Sequence, residues 1–155
     1  MTAHAAAPVD TLERVPPQNL EAEAAVLGSI FLDNDAGWVA AEIIPRPEYF
    51  YRVAHQRIFS AAIALLSADK AVDIVALKED LERRGELEVV GGTNYLRWLA
   101  LDAVPSAANV AHYARLVRDK ALLRTLATVG AKITREAYDA SGPAGAVADH
   151  AEQLL

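Results

Sequence analysis

A helical pattern of about 30 residues, 109–138, constrains the fold more than any other feature of the sequence. At a rise of 1.5 Å per residue the helix would be about 45 Å long, which is longer than a small globule can cover. Apolar residues in its second half follow the heptad-like spacing of a helix that packs along another helix. A turn signal follows at 140–145, and an apolar stripe returns through Val147 and Leu154. The pattern predicts a helical hairpin over 106–155.

The apolar residues of this hairpin lie on more than one side of each helix. Such a hairpin rarely stays alone, because it cannot bury its apolar surface by itself, and we expect it to pair with the hairpin of a second copy. The chain ends in the middle of the apolar pattern, so we expect it to be a fragment of a larger protein. The residues expected to mediate hairpin packing and self-association are Leu116, Leu123, Leu126, Ile133 and Val147.

Five shorter helical patterns, separated by turn signals, precede the hairpin. The sequence is 53 % hydrophobic but only 6 % aromatic, which favours helices packed through small residues over a β-sandwich. The predicted fold class is all-α, with a compact five-helix globular subdomain at 19–105 followed by a projecting αα-hairpin at 106–155. Residues 1–18, which are rich in alanine and proline, are predicted to form a mobile N-terminal tail.

Local signals predict where several helices begin. Asn19 and Asp73 precede apolar helical patterns and are predicted N-caps. We also expect Asp35 to cap the short second helix and Ser141 to cap the last one. Gly28 lies within the first helix, where the missing side chain would let a neighbouring helix approach closely.

Composition excludes several classes of protein. No apolar run approaches the roughly 18 to 20 residues that cross a bilayer, and the first residues lack the basic and apolar regions of a signal peptide. The chain has no cysteine, which excludes disulfides, thiolate catalysis and zinc sites built on thiolates. We therefore expect a cytoplasmic protein with no membrane partner.

The distribution of charge leaves two interpretations open. The net charge of −6 argues against a protein that grips phosphates with its whole surface. The helical pattern at 109–138 nevertheless carries a local +4, which leaves −10 elsewhere. That basic helix is either an ordinary solvated face or a surface for an acidic partner. The alternative function is therefore a small helical nucleic-acid-binding domain that uses the basic helix 109–138.

The sequence contains no recognisable catalytic motif. A P-loop, a GxSxG nucleophile elbow and an HExxH zinc motif are all missing. The histidines His4, His55, His112 and His150 lie on separate segments without the spacing of metal ligands, so we interpret each as a structural or surface residue. We predict no catalytic, cofactor-binding or metal-binding residues. A small helical hydrolase, the other rival, would need a metal or nucleotide site.

Four segments of the chain form an ordered pattern. They read RVPPQNLEAEAAVLGSIFLD, FYRVAHQRIF, VDIVALKEDLERRGELEVVGGTNYL and VPSAANVAHYARLVRDKALLR. In order and spacing they resemble the N-terminal domain of DnaB-type replicative DNA helicases, over about residues 14–138. Tyr49 departs from the family, which more often has an acidic residue there. The linker and RecA-like ATPase domain of the family are absent from this sequence, so ATP hydrolysis and unwinding are not expected of it.

The resemblance implies a non-catalytic role in DNA replication. In the family, hairpins dimerise and the dimers build the collar of a hexameric ring. The collar recruits primase into the primosome and, in some lineages, a helicase loader. ATP and Mg²⁺ belong to the family's ATPase domain, so we expect no cofactor in this chain, and no strong direct binding of DNA.

The primase-contacting surface is expected on the hairpin and on the adjoining part of the globular subdomain. The candidate contacts are Glu21, Tyr95, Leu126 and Ile133. Leu126 cannot be both fully buried in a dimer and a contact for a partner, and the sequence leaves both assignments open.

Overall fold

The computed structural model of the chain describes residues 14–155, and the part of the predicted tail at 1–13 lies outside the described residues. Across 14–155 the chain forms seven α-helices and no strand, which confirms the all-α prediction with five helices ahead of the long one. None of these helices is long and apolar enough to cross a membrane. The helices are α1 (Leu20–Leu32), α2 (Asp35–Ile43), α3 (Val53–Ser67), α4 (Ile74–Arg83), α5 (Gly92–Leu101), α6 (Val110–Tyr138) and α7 (Ala144–Leu154), with a 3₁₀ turn at Pro47–Tyr49.

The chain divides into two compact units, and the division falls inside the long helix α6. The larger unit spans Gln18–Leu122 and contains α1 to α5 with the first part of α6. The smaller unit contains Leu123–Leu155, which is the rest of α6 and α7, and the segment that ends at Pro17. The predicted domain boundary between residues 105 and 106 stays a prediction.

Helix α1 is the central helix of the larger unit. Every residue from Ala22 to Ile30 is buried, and the helix packs against α2, α3 and α5. A helix that is apolar on nearly all sides is stable only when neighbours surround it, and the alanine-rich sequence of α1 meets that description. The side chains of the core therefore assemble around α1.

Gly28 brings α5 close to α1. A Cβ atom at this position would lie 2.9 Å from the carbonyl oxygen of Leu99 and 3.0 Å from the Cβ of Ala103. Carbon atoms at optimal contact are about 3.5 to 4.0 Å apart, so a side chain here would force the neighbouring backbone away. The predicted role of Gly28 is confirmed.

The beginning of α6 completes the core of the larger unit. Val110, Ala114 and Val117 are buried at helical spacing and belong to the cluster that surrounds α1. Leu116 is half-buried and packs against the same cluster. Burial of these apolar side chains stabilises the first part of α6 by removing them from water.

Two predicted N-caps are confirmed. The side chain of Asn19 accepts a hydrogen bond from the backbone N–H of Ala22 at 2.9 Å. The side chain of Asp73 accepts one from the backbone N–H of Ala76 at 2.7 Å. Each bond satisfies an amide that the first turn of a helix leaves without a partner inside the helix.

Two other predicted caps are wrong. Asp35 is the first residue of α2, and its backbone N–H donates to Asp33 Oδ1 at 3.0 Å. Helix α7 begins at Ala144, and its N-cap is Pro143, so Ser141 lies outside the helix. In both places the turn puts the expected side chain one or two positions away from the N-cap.

Asn34, the N-cap residue of α2, makes a long-range contact instead of capping its own helix. Its Nδ2 donates to the carbonyl oxygens of Ile30 at 2.9 Å and Val72 at 3.1 Å, and its Oδ1 accepts from the Val72 N–H at 2.8 Å. One side-chain amide therefore satisfies three backbone groups. It ties the loop that precedes α4 to the end of α1.

In the smaller unit, α6 and α7 form a hairpin joined by residues 139–143. One contact between the two helices joins His150 Nδ1 to Glu136 Oε2 at 2.9 Å. Residues 123–155 are all described, and none of them is buried. The hairpin of a single chain therefore has no closed core of its own.

We expect Gly28→Ala to lower the free energy of unfolding by about 1 to 3 kcal/mol, because the added methyl group overpacks the contact between α1 and α5. Chemical denaturation followed by circular dichroism measures this change. Gly145→Ala is the control, since this glycine lies in α7 and no atom outside its chain neighbours and its own helix backbone lies within 4 Å of its Cβ position. Alanine there should be neutral or stabilising by up to about 1 kcal/mol. An unchanged stability of Gly28→Ala would contradict the close approach.

Candidate functional site

A buried polar cluster lies where α1, α3 and α5 meet in the larger unit. It consists of Glu23 of α1, His55 of α3 and Tyr95 of α5. The exposed fraction is 1 % for Glu23 and 0 % for His55. Burying polar groups of this kind costs free energy unless each of them finds hydrogen-bond partners. The hydrogen-bond partners of these three side chains therefore indicate the structural role of the cluster.

The Glu23 carboxylate lies at the beginning of α3. Its Oε2 accepts from the backbone N–H of Tyr51 at 2.6 Å, and its Oε1 accepts from the backbone N–H of Arg52 at 3.3 Å. The N-cap residue of α3 is Arg52, which makes no side-chain capping bond of its own. Because a carboxylate is favoured near a helix N-terminus, Glu23 of α1 stabilises the beginning of α3 by accepting from the amide of its N-cap residue and from the amide before it.

His55 connects Glu23 to Tyr95. Its Nδ1 lies 2.7 Å from Glu23 Oε1, and its Nε2 lies 2.6 Å from the Tyr95 hydroxyl oxygen. An ionised carboxylate can only accept, so the proton of a neutral imidazole belongs on Nδ1, and Nε2 then accepts from the Tyr95 hydroxyl. In this arrangement every donor faces an acceptor.

Tyr95 extends the buried cluster to the surface. It is half-buried, and the Arg52 guanidinium lies over its ring at 5.1 Å from the centroid, within the range of a cation–π contact. Burial raises the pKa of the Tyr95 phenol, the Arg52 charge lowers this pKa, and the Glu23 charge raises it. The phenol therefore stays protonated at neutral pH and can donate to His55.

Trp98 stacks on Tyr95 along α5. The two ring centroids are 5.7 Å apart, and the ring planes differ by 16°. Because the indole is 44 % exposed, this stack presents an aromatic face to solvent directly above the polar cluster. Residues three apart on a helix are neighbours on its surface, which is why the two rings meet.

Two shallow depressions lie on either side of Trp98, and we call them together the Trp98 surface. The smaller depression, of about 250 Å³, is lined by Leu20, Glu21, Ala24, Arg52, Tyr95 and Trp98, with the buried His55 beneath. The larger one, of about 370 Å³, shares Glu21, Ala24 and Trp98 and extends along Asn19, Ala22, Ala25, Ala103, Val104, Pro105, Tyr113 and Leu116. Both depressions are open to solvent and belong to the larger unit.

The structure brings two of the four candidate primase contacts together on the Trp98 surface. Glu21 is exposed, Tyr95 is half-buried, and both line the smaller depression. Leu126 and Ile133 belong to the smaller unit, where Leu126 is exposed and Ile133 half-buried. Contact of these four residues with primase stays a prediction.

Four of the five residues predicted for hairpin packing lie in the smaller unit. Leu123 and Leu126 are exposed, whereas Ile133 and Val147 are half-buried. Leu116 lies in the larger unit and lines the larger depression beside Trp98. The role of these residues in self-association stays a prediction.

Three members of the site lack an obvious sequence signature of function. Glu23 has the position of an ordinary first-turn carboxylate of α1, and the apolar residues on every side of it are the signal that it is buried. His55 carries a similar signal, since Ile58 and Phe59 share its face of α3 at spacings of three and four. Trp98 resembles any aromatic residue of an amphipathic helix until the fold shows that it is exposed.

The polar groups of the cluster are hydrogen-bonded to one another. The cluster can therefore order the surface above it. Glu23, His55 and Tyr95 are joined by short hydrogen bonds, so their polar atoms are occupied. Between residues 14 and 155, no group of three or more His, Asp or Glu side chains is arranged to hold a metal ion.

Comparison with known proteins identifies the family of the chain. The family model described as the DnaB-like helicase N terminal domain matches residues 15–119. The chain belongs to this family. The match includes all three residues of the buried cluster and the whole Trp98 surface, and it confirms the resemblance to DnaB-type replicative helicases.

Relatives at high identity agree with this assignment. The replicative DNA helicase DnaB of Geobacillus stearothermophilus is 44 % identical over 143 residues, which cover 92 % of this chain and 31 % of that protein. The replicative DNA helicase DnaB of Treponema pallidum is 46 % identical over 126 residues, covering 81 % of this chain and 28 % of that protein. The chain thus spans less than a third of the length of these relatives.

A solved structure supports the same assignment for the fold. The crystal structure of the N-terminal domain of DnaB helicase from Mycobacterium tuberculosis matches with a TM-score of 0.84 and 38 % identity. The match covers 90 % of this chain and 97 % of that chain. The chain therefore corresponds to the N-terminal domain of a replicative DNA helicase.

We expect Arg52→Gln to raise the pKa of the Tyr95 phenol further, because the variant loses the positive charge that stabilises the phenolate. The measurement is an alkaline titration of the chain labelled at tyrosine Cζ and followed by NMR, with Tyr95→Phe to assign the signal. Arg57→Gln is the matched control, since Arg57 pairs with Glu86 at 2.7 Å and not with the cluster. A Tyr95 pKa that stays the same or falls in Arg52→Gln would contradict the assigned contact.

Proposed function

We propose that this domain is a non-catalytic module of the replication machinery. In this proposal it dimerises through its hairpin, contributes to the collar of a hexameric helicase ring, and docks primase and, in some lineages, a helicase loader. ATP and Mg²⁺ would act in the ATPase domain of the full-length relatives, and this domain would need no cofactor of its own. It would work in the cytoplasm.

One observation carries the part of the proposal that concerns self-association: no residue between 123 and 155 is buried. Helix α7 has 11 residues, and isolated helices shorter than about 12 to 15 residues are marginal in water. A hairpin without a closed core must therefore gain stability from a surface outside itself. A second copy offers the same hairpin and the same apolar residues, which is the usual arrangement of a two-fold dimer.

The apolar residues of the hairpin are placed to serve such a dimer. Leu123 and Leu126 lie one turn apart on α6 and are exposed, and Ile133 lies one full heptad after Leu126. Val147 supplies a half-buried apolar side chain from α7. Packing of these residues against a second hairpin would give helix α7 the tertiary contacts that its length requires.

We expect Leu126→Glu to shift the chain toward the mass of a monomer or to reduce its helix content, because a charge in an apolar helix interface is left without a partner. Sedimentation velocity and circular dichroism measure the two outcomes. Val75→Glu is the matched control, since Val75 is a 74 % exposed apolar residue of α4 in the larger unit. An unchanged mass and an unchanged helix content in Leu126→Glu would contradict hairpin dimerisation.

The proposed docking site for primase includes the Trp98 surface. Aromatic residues and arginine are enriched at protein interfaces, and here Trp98, Tyr95 and Arg52 lie together beside the exposed carboxylate of Glu21. The two candidate contacts on the hairpin, Leu126 and Ile133, would each either contact primase or pack in the dimer. Measuring both mass and primase affinity of the same Leu126 and Ile133 variants separates the two roles.

We expect Trp98→Ala and Tyr95→Ala to weaken binding of the primase C-terminal domain by about 2 kcal/mol, or roughly 30-fold in Kd, as truncation of an interface hot spot does. Isothermal titration measures this loss. Trp38→Ala is the matched control, because Trp38 of α2 has nearly the same exposure, 46 % against 44 % for Trp98. Equal primase affinities of the Trp98→Ala and Trp38→Ala variants would contradict docking of primase on the Trp98 surface.

Direct binding of nucleic acid through α6 is the alternative function. Arg115, Arg118, Lys132 and Arg135 are exposed along this helix. Such binding would weaken steeply with salt, because each phosphate contact releases counterions. Salt-dependent binding of DNA by the chain alone would favour this alternative, and the net charge of −6 argues against it.

A further inference from the structure

The buried cluster is more elaborate than packing alone requires. Glu23 and His55 are almost fully excluded from solvent, and burying polar groups costs free energy that their hydrogen bonds must offset, whereas apolar side chains would carry no such cost. Capping of α3 explains the two bonds from the Glu23 carboxylate to the backbone. It leaves unexplained why His55 stands between that carboxylate and a tyrosine of another helix.

The hydrogen bonds of the cluster connect the surface to the interior, and all of them are donated inward. The Tyr95 hydroxyl donates to Nε2 of His55, and Nδ1 of His55 donates to the Glu23 carboxylate. The Tyr95 ring lies nearly parallel to the His55 ring, at 5.9 Å and 19°, and to the Trp98 ring, at 5.7 Å and 16°. The hydrogen bond therefore joins the His55 and Tyr95 rings edge to edge, and the Tyr95 ring in turn stacks on Trp98, which is the exposed end of the series.

We propose that Glu23 and His55 are positioning residues, which hold the Tyr95 hydroxyl and thereby keep the stack of Tyr95 and Trp98 preformed for docking of a protein partner. This inference rests on the proposed docking of primase on the Trp98 surface. Glu23 fixes the tautomer of His55, so that Nε2 is an acceptor, and the bond from the hydroxyl to Nε2 holds the end of the Tyr95 side chain in place. Neither Glu23 nor His55 needs to touch the partner.

The benefit of such an arrangement is a smaller entropic loss on binding. Ordering a side chain at an interface costs free energy at the moment of association, and a side chain held before association avoids that cost. Without its hydroxyl bond Tyr95 would keep its ring but lose the directional contact that orients it. Trp98 would then have a mobile neighbour instead of a fixed one.

The first test needs no partner. In a Trp38→Phe background Trp98 is the remaining tryptophan, because the chain has two. There we expect Tyr95→Phe to broaden or shift the NMR signal of the Trp98 indole N–H and to increase its quenching by acrylamide. Tyr138→Phe, which removes a hydroxyl from a tyrosine that is 88 % exposed, is the control. A Trp98 signal and quenching that Tyr95→Phe leaves unchanged would overturn the proposal.

The second test is a double-mutant cycle with the primase C-terminal domain. We expect His55→Gln to raise Kd roughly fivefold to tenfold, as loss of one hydrogen bond does. In a Tyr95→Phe background the same substitution should leave Kd unchanged, because the hydroxyl that His55 positions is already gone. A merely structural role of His55 predicts the same loss in both backgrounds, and that result would overturn the proposal.

The two tests keep this inference separate from the proposed function. If His55→Gln does not fold, the Trp98 signal in Tyr95→Phe still decides, since that variant keeps Glu23 and His55. If Trp98→Ala leaves primase affinity unchanged, the proposed docking site is wrong, whereas the indole measurement still tells whether the cluster holds the stack.

Discussion

The carboxylate of Glu23 is the group on which the geometry of the larger unit depends. It belongs to the central helix α1, caps the beginning of α3 through the backbone amides of Tyr51 and Arg52, and reaches α5 through His55 and Tyr95. Apolar packing of α1 through Gly28 sets how close the helices lie, but packing of small side chains is not directional. Hydrogen bonds are directional, so this carboxylate adds specific contacts from α1 to the beginning of α3 and, through His55, to α5.

The two units of the chain bury their apolar side chains to different extents. In the larger unit, α1 has neighbours on every side, and the first part of α6 adds Val110, Ala114 and Val117 to the same core. In the smaller unit, the end of α6 contacts α7, as His150 contacts Glu136, yet none of residues 123–155 is buried. One helix thus takes part in a complete core at its beginning and in an incomplete one at its end, which is why the proposed self-association concerns residues 123–155.

Sequence periodicity was sufficient to predict the helices, because each depends on local spacing and on residues such as Asn19 and Asp73 at its own first turn. It failed for Asp35 and Ser141, where the turn moves the N-cap by one or two positions. Sequence periodicity could not predict the polar cluster, because its members are far apart in the sequence. Glu23 and His55 are 32 residues apart, and His55 and Tyr95 are 40 residues apart. Their meeting depends on how α1, α3 and α5 pack, and no local pattern encodes that. Glu21 and Tyr95 were found through the family resemblance, whereas Trp98 became notable only once its exposure was known.

Asn34 is a position at which chemical loss of one nitrogen atom would disturb the fold. Its amide donates to the carbonyl oxygens of Ile30 and Val72 and accepts from the Val72 N–H. Spontaneous deamidation would turn this residue into an aspartate, which has nearly the same shape but no hydrogen to donate. A carboxylate oxygen would then face the carbonyl oxygens of Ile30 and Val72 at hydrogen-bonding distance, and the loop before α4 would keep only the bond from the Val72 N–H. The side chain at position 34 must be a donor because two carbonyl oxygens face it. An acid there would also be the third in a row, since Asp33 and Asp35 lie on either side.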